Sequence, residues 1–231
     1  MLLIITPTYN EKNNIMTLIE KIQNKTDAHL LVIDDNSPDG TGDLLEKLKT
    51  KNQKLDVIHR QEKLGLGTAY IEGFKFAIKK NYEYIIIMDA DLSHNPDYIP
   101  DFLDKLKTFD LVIGSRYIPG GGVIGWPIHR KLLSFFGNLY ARKVTGLPIH
   151  DCTSGFMGFR REVIETVLKE NIRTEGYSFL IELKFIGFKK NYKICETPIV
   201  FVDRIAGKSK ISKKIIFEAL LLVWKLRFKK I

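Results

Sequence analysis

IIIMDADLSHNP, residues 85–96, sets four apolar residues directly against two aspartates separated by one alanine. Ile85, Ile86, Ile87 and Met88 lack apolar–polar alternation, the pattern of a strand buried on both faces of a parallel sheet. Asp89 and Asp91 follow at once, and a carboxylate at the end of a buried strand is costly unless something pairs with it. In open α/β sheets ligands bind outside the carboxyl ends of the strands, so the other strand ends are the place to look for the partner.

Working outward, LLIIT (2–6) reads as a strand that ends in TPTYNE, and HLLVIDD (29–35) as one that ends in DDNSPDGT. LDVIHR (55–60) and DLVIG (110–114) are further strands. Ile15, Leu18, Ile19 and Ile22 recur at helical spacing, with Asn13 and Asn14 as caps, and helices from Thr41, over 67–80 and after Pro96 continue the alternation. Strand and helix in turn predict an α/β fold, an open, mostly parallel sheet flanked by helices. Three polar clusters then converge on one edge. PGGGVIGW (119–126) reads as a mobile loop, since its glycines carry little to pack.

In an extended segment residues i and i+2 point the same way, so Asp89 and Asp91 face one crevice and suit a hard divalent cation that also takes substrate diphosphate oxygens. Other chemistries lose their support. No GxxxxGK[ST] phosphate loop occurs, GLG at 65–67 is an incomplete dinucleotide fingerprint, and no nucleophile elbow surrounds any Ser or Cys. His94 and His150 read as structural or surface residues rather than bases.

At 231 residues and 45% hydrophobic side chains, the chain is expected to fold as one large domain with a short appendage. Cys152 and Cys195 form no CxxC and read as packing residues of a reduced intracellular compartment. MLLIITPTYNE lacks the positive n-region of a signal peptide and reads as a first strand. Residues 204–231 hold nine Lys or Arg against one acid, Glu218, so most of the net charge of +9 belongs to the tail. There Lys214, Glu218, Lys225 and Lys229 form one helical stripe with apolar residues over most of the remaining arc. Its longest apolar run, Ala219 to Trp224, is well short of a bilayer span of ~20 residues. A helix on an anionic membrane surface, or docked on an integral-membrane partner, is the expected use, and a helix packed on the core is the alternative. The basic residues lack the interleaved aromatics of a stacking platform, which argues against nucleic acid.

PTYNE (7–11), DDNSPDGT (34–41), KLGLGTAY (63–70), MDADLSHNP (88–96), GSRY (114–117), EGYSFLIEL (175–183) and FVDRIAGKSK (201–210) together resemble the family 2 glycosyltransferases of GT-A fold. The similarity is greatest to the branch that moves mannose onto dolichyl phosphate, and it runs in order from about residue 3 to 212. It implies a catalytic domain over 1–210, a basic amphipathic helix over 211–231, and inverting transfer from GDP-mannose to a polyprenyl (dolichyl) phosphate at the cytoplasmic face of a membrane. By motif match Pro7, Tyr9, Glu11, Ile33 and Asp35 hold the nucleoside. Asp89, Ala90 and Asp91 hold Mg²⁺ or Mn²⁺ and the diphosphate, with Ser93 as an added metal ligand where some relatives carry Gln. Arg116, Arg204 and Lys210 meet the donor or acceptor phosphates, joined by Arg130.

The chemistry agrees on separate grounds. A hydroxyl acceptor needs a positioned carboxylate to take its proton, whereas a phosphate is already anionic and needs cations that overcome its repulsion from the donor. On this reading Asp91, Arg116, Arg130 and Arg204 carry catalysis. The alternatives are a polyprenyl-phosphate glucosyltransferase using UDP-glucose, a nucleotide-binding subunit without turnover, and a membrane-surface module on an α/β scaffold.

Overall fold

The computed structural model describes residues 1–170, 172, 174, 176–203 and 213–228, and side chains at all of these except 177, 213–219 and 222. A seven-stranded sheet runs through the molecule in the order β3-β2-β1-β4-β7-β5-β8. Its strands are β1 (Leu2–Thr8), β2 (His29–Asp34), β3 (Leu55–His59), β4 (Tyr84–Ile87), β5 (Leu111–Ser115), β7 (Met157–Arg160) and β8 (Ile194–Pro198). All neighbours are parallel except β7, which runs against both β4 and β5. A separate parallel pair joins β6 (Gly122–Ile124) to β9 (Val200–Val202).

The quoted stretch behaves as its pattern requires. Ile85, Ile86, Ile87 and Met88 are fully buried, and the period of two sends Ile85 and Ile87 into one core and Ile86 and Met88 into the other. Helices cover the sheet: α1 (Lys12–Lys25), α2 (Thr41–Lys49), α3 (Leu66–Lys79), α4 (Ile99–Leu106), α5 (Ile128–Thr145), α6 (Arg161–Lys169), α7 (Gly176–Lys189) and α8 (Lys213–Phe228). Strand order reverses beside β1, with β2 and β3 to one side and β4 to the other, which opens a crevice at their carboxyl ends.

Two local expectations are corrected. Asn13 and Asn14 do not cap α1. They lie in its first turn, Glu11 precedes the helix without a side-chain cap, and Asn14 Nδ2 instead donates to Glu11 Oε2 at 2.8 Å. The PGGGVIGW stretch is not a plain loop, because β6 forms within it and pairs with β9. Its glycines permit close packing: a Cβ on Gly121 would come within 2.5 Å of the Ser115 carbonyl oxygen.

The tail forms α8, which packs on α5 and α7 and buries Val223 and Leu226. Lys214, Glu218 and Lys229 of the expected stripe lie outside the described side chains, while Lys225 is exposed. No helix among the described residues is long and apolar enough to cross a membrane.

Candidate active site

A cleft of about 320 Å³ opens at the carboxyl edge, lined on one side by the ends of β1, β2 and β4 and on the other by residues that follow β5. At the β1 end Pro7, Tyr9 and Glu11 all line it. The Lys63 ammonium sits 4.0 Å from the centre of the Tyr9 ring. Asn10, between Tyr9 and Glu11, turns the chain with a φ of 62°, a conformation that asparagine tolerates better than most residues. At the β2 end Asp35 is buried, and accepts from Arg60 Nη1 at 2.5 Å and from the Gly65 N–H at 3.2 Å. Gly65 holds a φ of 96° as α3 begins, open to glycine and closed to most side chains. Ile33 is not on the cleft. Its side chain is fully buried in the core beneath Gly73, so a side-chain contact with a nucleoside is excluded there.

At the β4 end Asp89, Ala90 and Asp91 line the cleft. The turn is held from within. Asp91 Oδ1 accepts from the Ser93 N–H at 3.1 Å and the Ser93 hydroxyl at 2.5 Å, and Leu92 is carried at a φ of 63°. A left-handed leucine is a sparsely populated state that persists where surrounding structure imposes it. Ser93 is thus buried against Asp91 and orients it, and it is not among the residues that line the cleft. His94, buried and stacked on Phe156 at 5.1 Å, accepts the Asp89 N–H on Nδ1 at 3.0 Å. Burial lowers its pKa against the opposing pull of Asp89 and Asp91, so the neutral ring serves as the acceptor. His94 also lines the cleft, its ring held in place by this bond and by Phe156. Beneath both aspartates the Tyr70 hydroxyl is buried without a hydrogen-bond partner among the described residues, and burial and their charge hold it protonated.

The opposite wall carries cations. Arg116 is buried, donating through Nε and Nη2 to the two oxygens of Asp151 at 2.7 Å each and through its backbone N–H at 3.0 Å. Its Nη2 also donates to Thr153 Oγ1 at 2.8 Å. Arg130, in the first turn of α5, donates through Nη1 to Asp203 at 3.0 and 3.1 Å and lies 4.1 Å from the Trp126 ring centre. Trp126 meets Phe201 edge-on at 5.3 Å, and Phe201 meets His94 at 5.6 Å, so aromatic contacts bridge the two walls. Arg204 and Lys210 lie outside the described residues.

Asp89 and Asp91 supply hard carboxylate oxygens to one cleft, and among the described residues no third His, Cys, Asp or Glu completes a protein-only cluster. That set suits a divalent cation completed by diphosphate and water oxygens. Arg60, Lys63, Trp126, Asp151, Thr153 and Asp203 also shape the site and escaped the sequence reading. Lys63 and Asp203 lay inside motifs that carry the resemblance, and Arg60 and Trp126 at the ends of other quoted stretches, but none was assigned a role; Asp151 and Thr153 lay in no quoted stretch. Cys152 and Cys195 are free thiols pushed up to about 12 and about 11 by burial, inert packing residues as expected.

Carboxylates at the switch point of a mostly parallel sheet, facing arginines across one cleft, are the arrangement of a glycosyltransferase of GT-A fold. Residues 3–168 match Glycosyl transferase family 2, and the chain belongs to that family. It is 39% identical over 94% of its length to an undecaprenyl-phosphate mannosyltransferase of Micrococcus luteus, covering 90% of that protein. It is 40% identical over 97% of its length to a polyprenol monophosphomannose synthase of Mycolicibacterium smegmatis, covering 87% of it. Among solved structures, glucosyl-3-phosphoglycerate synthase of Mycobacterium tuberculosis with Mn²⁺, UDP and phosphoglyceric acid superposes with a TM-score of 0.71 at 18% identity, over 99% of this chain and 78% of that one. A mannosyltransferase of Pyrobaculum calidifontis with GDP-Man and Mn²⁺ gives 0.58 at 17%, over 98% and 72%. These two likenesses concern the fold.

Proposed function

We propose that the enzyme transfers mannose from GDP-mannose to the phosphate of a membrane polyprenol, with inversion at the anomeric carbon. One observation carries the reading. The carboxylates lining the cleft, Glu11, Asp35, Asp89 and Asp91, all stand on the donor side, while Arg116 and Arg130 stand opposite, next to carboxylates already bound to them. Among the described residues the carboxylates of this wall are engaged by arginines rather than offered to a hydroxyl, while the guanidinium groups present oriented donors to a phosphate.

Pro7, Tyr9, Glu11 and Asp35 seat the nucleoside, with Arg60 and Lys63 fixing the last and the aromatic one. Asp89 and Asp91 would hold Mg²⁺ or Mn²⁺, which when bound neutralises charge on the departing diphosphate. Arg116 and Arg130, with Arg204 and Lys210 by motif, seat the acceptor phosphate in line behind the anomeric carbon. Its oxygen forms the new bond to that carbon as the bond to the β-phosphate oxygen breaks, and GDP leaves with the electron pair. No proton need move.

The membrane side of the reading rests on α5 as well as the tail. Ile128, Leu132, Phe135 and Phe136 of α5 are at least half exposed, and Trp224 and Phe228 of α8 join them. The two helices are tied by Tyr140 Oη donating to the Leu220 carbonyl at 3.2 Å. An apolar face of this kind beside Arg130 suits a lipid surface that delivers the acceptor. The cytoplasmic face, where nucleotide sugars are made, is the side proposed. The names of the relatives support the acceptor class, and a dolichyl rather than another polyprenyl chain is the narrower claim.

The test is transfer of radiolabelled sugar from GDP-mannose, with UDP-glucose in parallel, to short polyprenyl phosphate in detergent with and without Mg²⁺ or Mn²⁺. Mannolipid from GDP-mannose and metal alone is expected. Glucolipid from UDP-glucose would overturn the donor, and lack of lipid product from either would overturn the acceptor.

A further inference from the structure

Lys184 of α7 is fully buried, an unusual place for an ammonium group. It donates to the Ser154 carbonyl at 2.7 Å and to the Leu180 carbonyl, one turn back, at 3.2 Å. The first of these bonds reaches the segment that joins the two walls of the cleft. Within residues 151–155, Asp151 holds Arg116, Thr153 touches the same guanidinium, and Gly155 lies against His94 and Asp89.

The charged groups facing Lys184 are Asp151, Arg116 and Glu196, with the Cys152 thiol beside them. Glu196 in turn accepts the His150 and Asp151 backbone N–H groups at 2.9 Å and His150 Nδ1 at 2.8 Å. Burial keeps the thiol protonated, so the interior cluster balances: Arg116 and Lys184 against Asp151 and Glu196. Without the proton on Lys184 it carries a net negative charge directly behind Arg116.

We propose that Lys184 is a positioning residue for the acceptor side, fixing the 151–155 segment and keeping the cluster behind Arg116 neutral, so that this wall attracts a phosphate. The inference rests on the phosphate-acceptor reading above. Burial brings the Lys184 pKa down to about 8 against the pull of Asp151, which places the loss of this charge within reach of an ordinary pH scan.

The probe is farnesyl phosphate, its binding followed by calorimetry from pH 7.5 to 9.5, above the phosphate monoester's own titration, with GDP plus Mn²⁺ as the control ligand of the opposite wall. Farnesyl phosphate affinity is expected to fall roughly tenfold across the range, while GDP affinity moves little. The midpoint should coincide with that of one buried lysine followed by NMR of lysine-labelled protein. Lys184→Met should show the weak, high-pH affinity already at pH 7.5 and a flat profile. A wild-type profile without slope, a midpoint apart from that of the buried lysine, or a Lys184→Met profile like that of wild type would overturn the proposal. If Lys184→Met fails to fold, the comparison of midpoints in wild type still decides. Protein that binds GDP but not farnesyl phosphate at any pH would sink the acceptor reading as well, whereas binding without a slope sinks only the role of Lys184.

Discussion

The two walls of the cleft are built by opposite strategies. On the carboxylate wall Asp91 is held within its own turn by Ser93, and Asp35 by Arg60, which follows the adjoining strand. On the opposite wall each described arginine is held by a carboxylate far along the chain, Arg116 by Asp151 and Arg130 by Asp203. Turn chemistry suffices to aim a short acid, whereas a long guanidinium needs a partner that only the assembled fold provides.

The contrast breaks most sharply at Asp91. Asp91→Ala should lower transfer by about 10³-fold in an assay with saturating substrates, since it removes charge stabilisation specific to the leaving group. Full metal-dependent turnover in that variant would remove the donor wall from the mechanism. Asp151→Asn leaves Arg116 buried with a weaker partner and should reduce kcat/KM for the acceptor about 10²-fold, with the KM for GDP-mannose nearly unchanged. Equal losses for both substrates would show that the walls are not separable. Asp203→Asn should cost less, about threefold in acceptor KM, because the pair it breaks is partly open to solvent.

The smallest effect is on stability. Lys184 has a folded pKa below its unfolded one, so between about pH 8 and 10.5 the unfolded chain binds more protons and this group alone makes the fold more stable as pH rises. The Tm of Lys184→Met relative to wild type should therefore decline from pH 7.5 to 10. A constant difference would mean that Lys184 does not titrate in that window.

The same contrast explains what could be read in advance. β1 to β5 were visible because buried strands leave continuous apolar runs and their ends leave polar clusters, and Asp89 and Asp91 followed from the spacing of two. Short β6 and β9 carry too little apolar run to register, and glycine in PGGGVIGW signals both freedom and close packing, of which the fold uses the second. Arg116 and Arg130 came from motif resemblance, but their partners did not. A pair separated by 35 or 73 positions leaves no periodic mark. Ile33 shows the limit of a motif match, which does not say whether a residue contributes its side chain, here buried in the core, or only its position in a strand.

β7 has a last consequence. A parallel strand brings its exit to the catalytic edge, but a strand running backwards brings its entrance, and Met157 at the start of β7 pairs with Ile87 at the end of β4. The segment that precedes β7, not the one that follows, is thus delivered to the cleft, where Thr153 and Gly155 line it. In this molecule the direction of one short strand determines which stretch of chain joins the two walls of the cleft, and any lengthening between α5 and β7 would be felt at the cleft, while lengthening after β7 would fall at the opposite edge of the sheet.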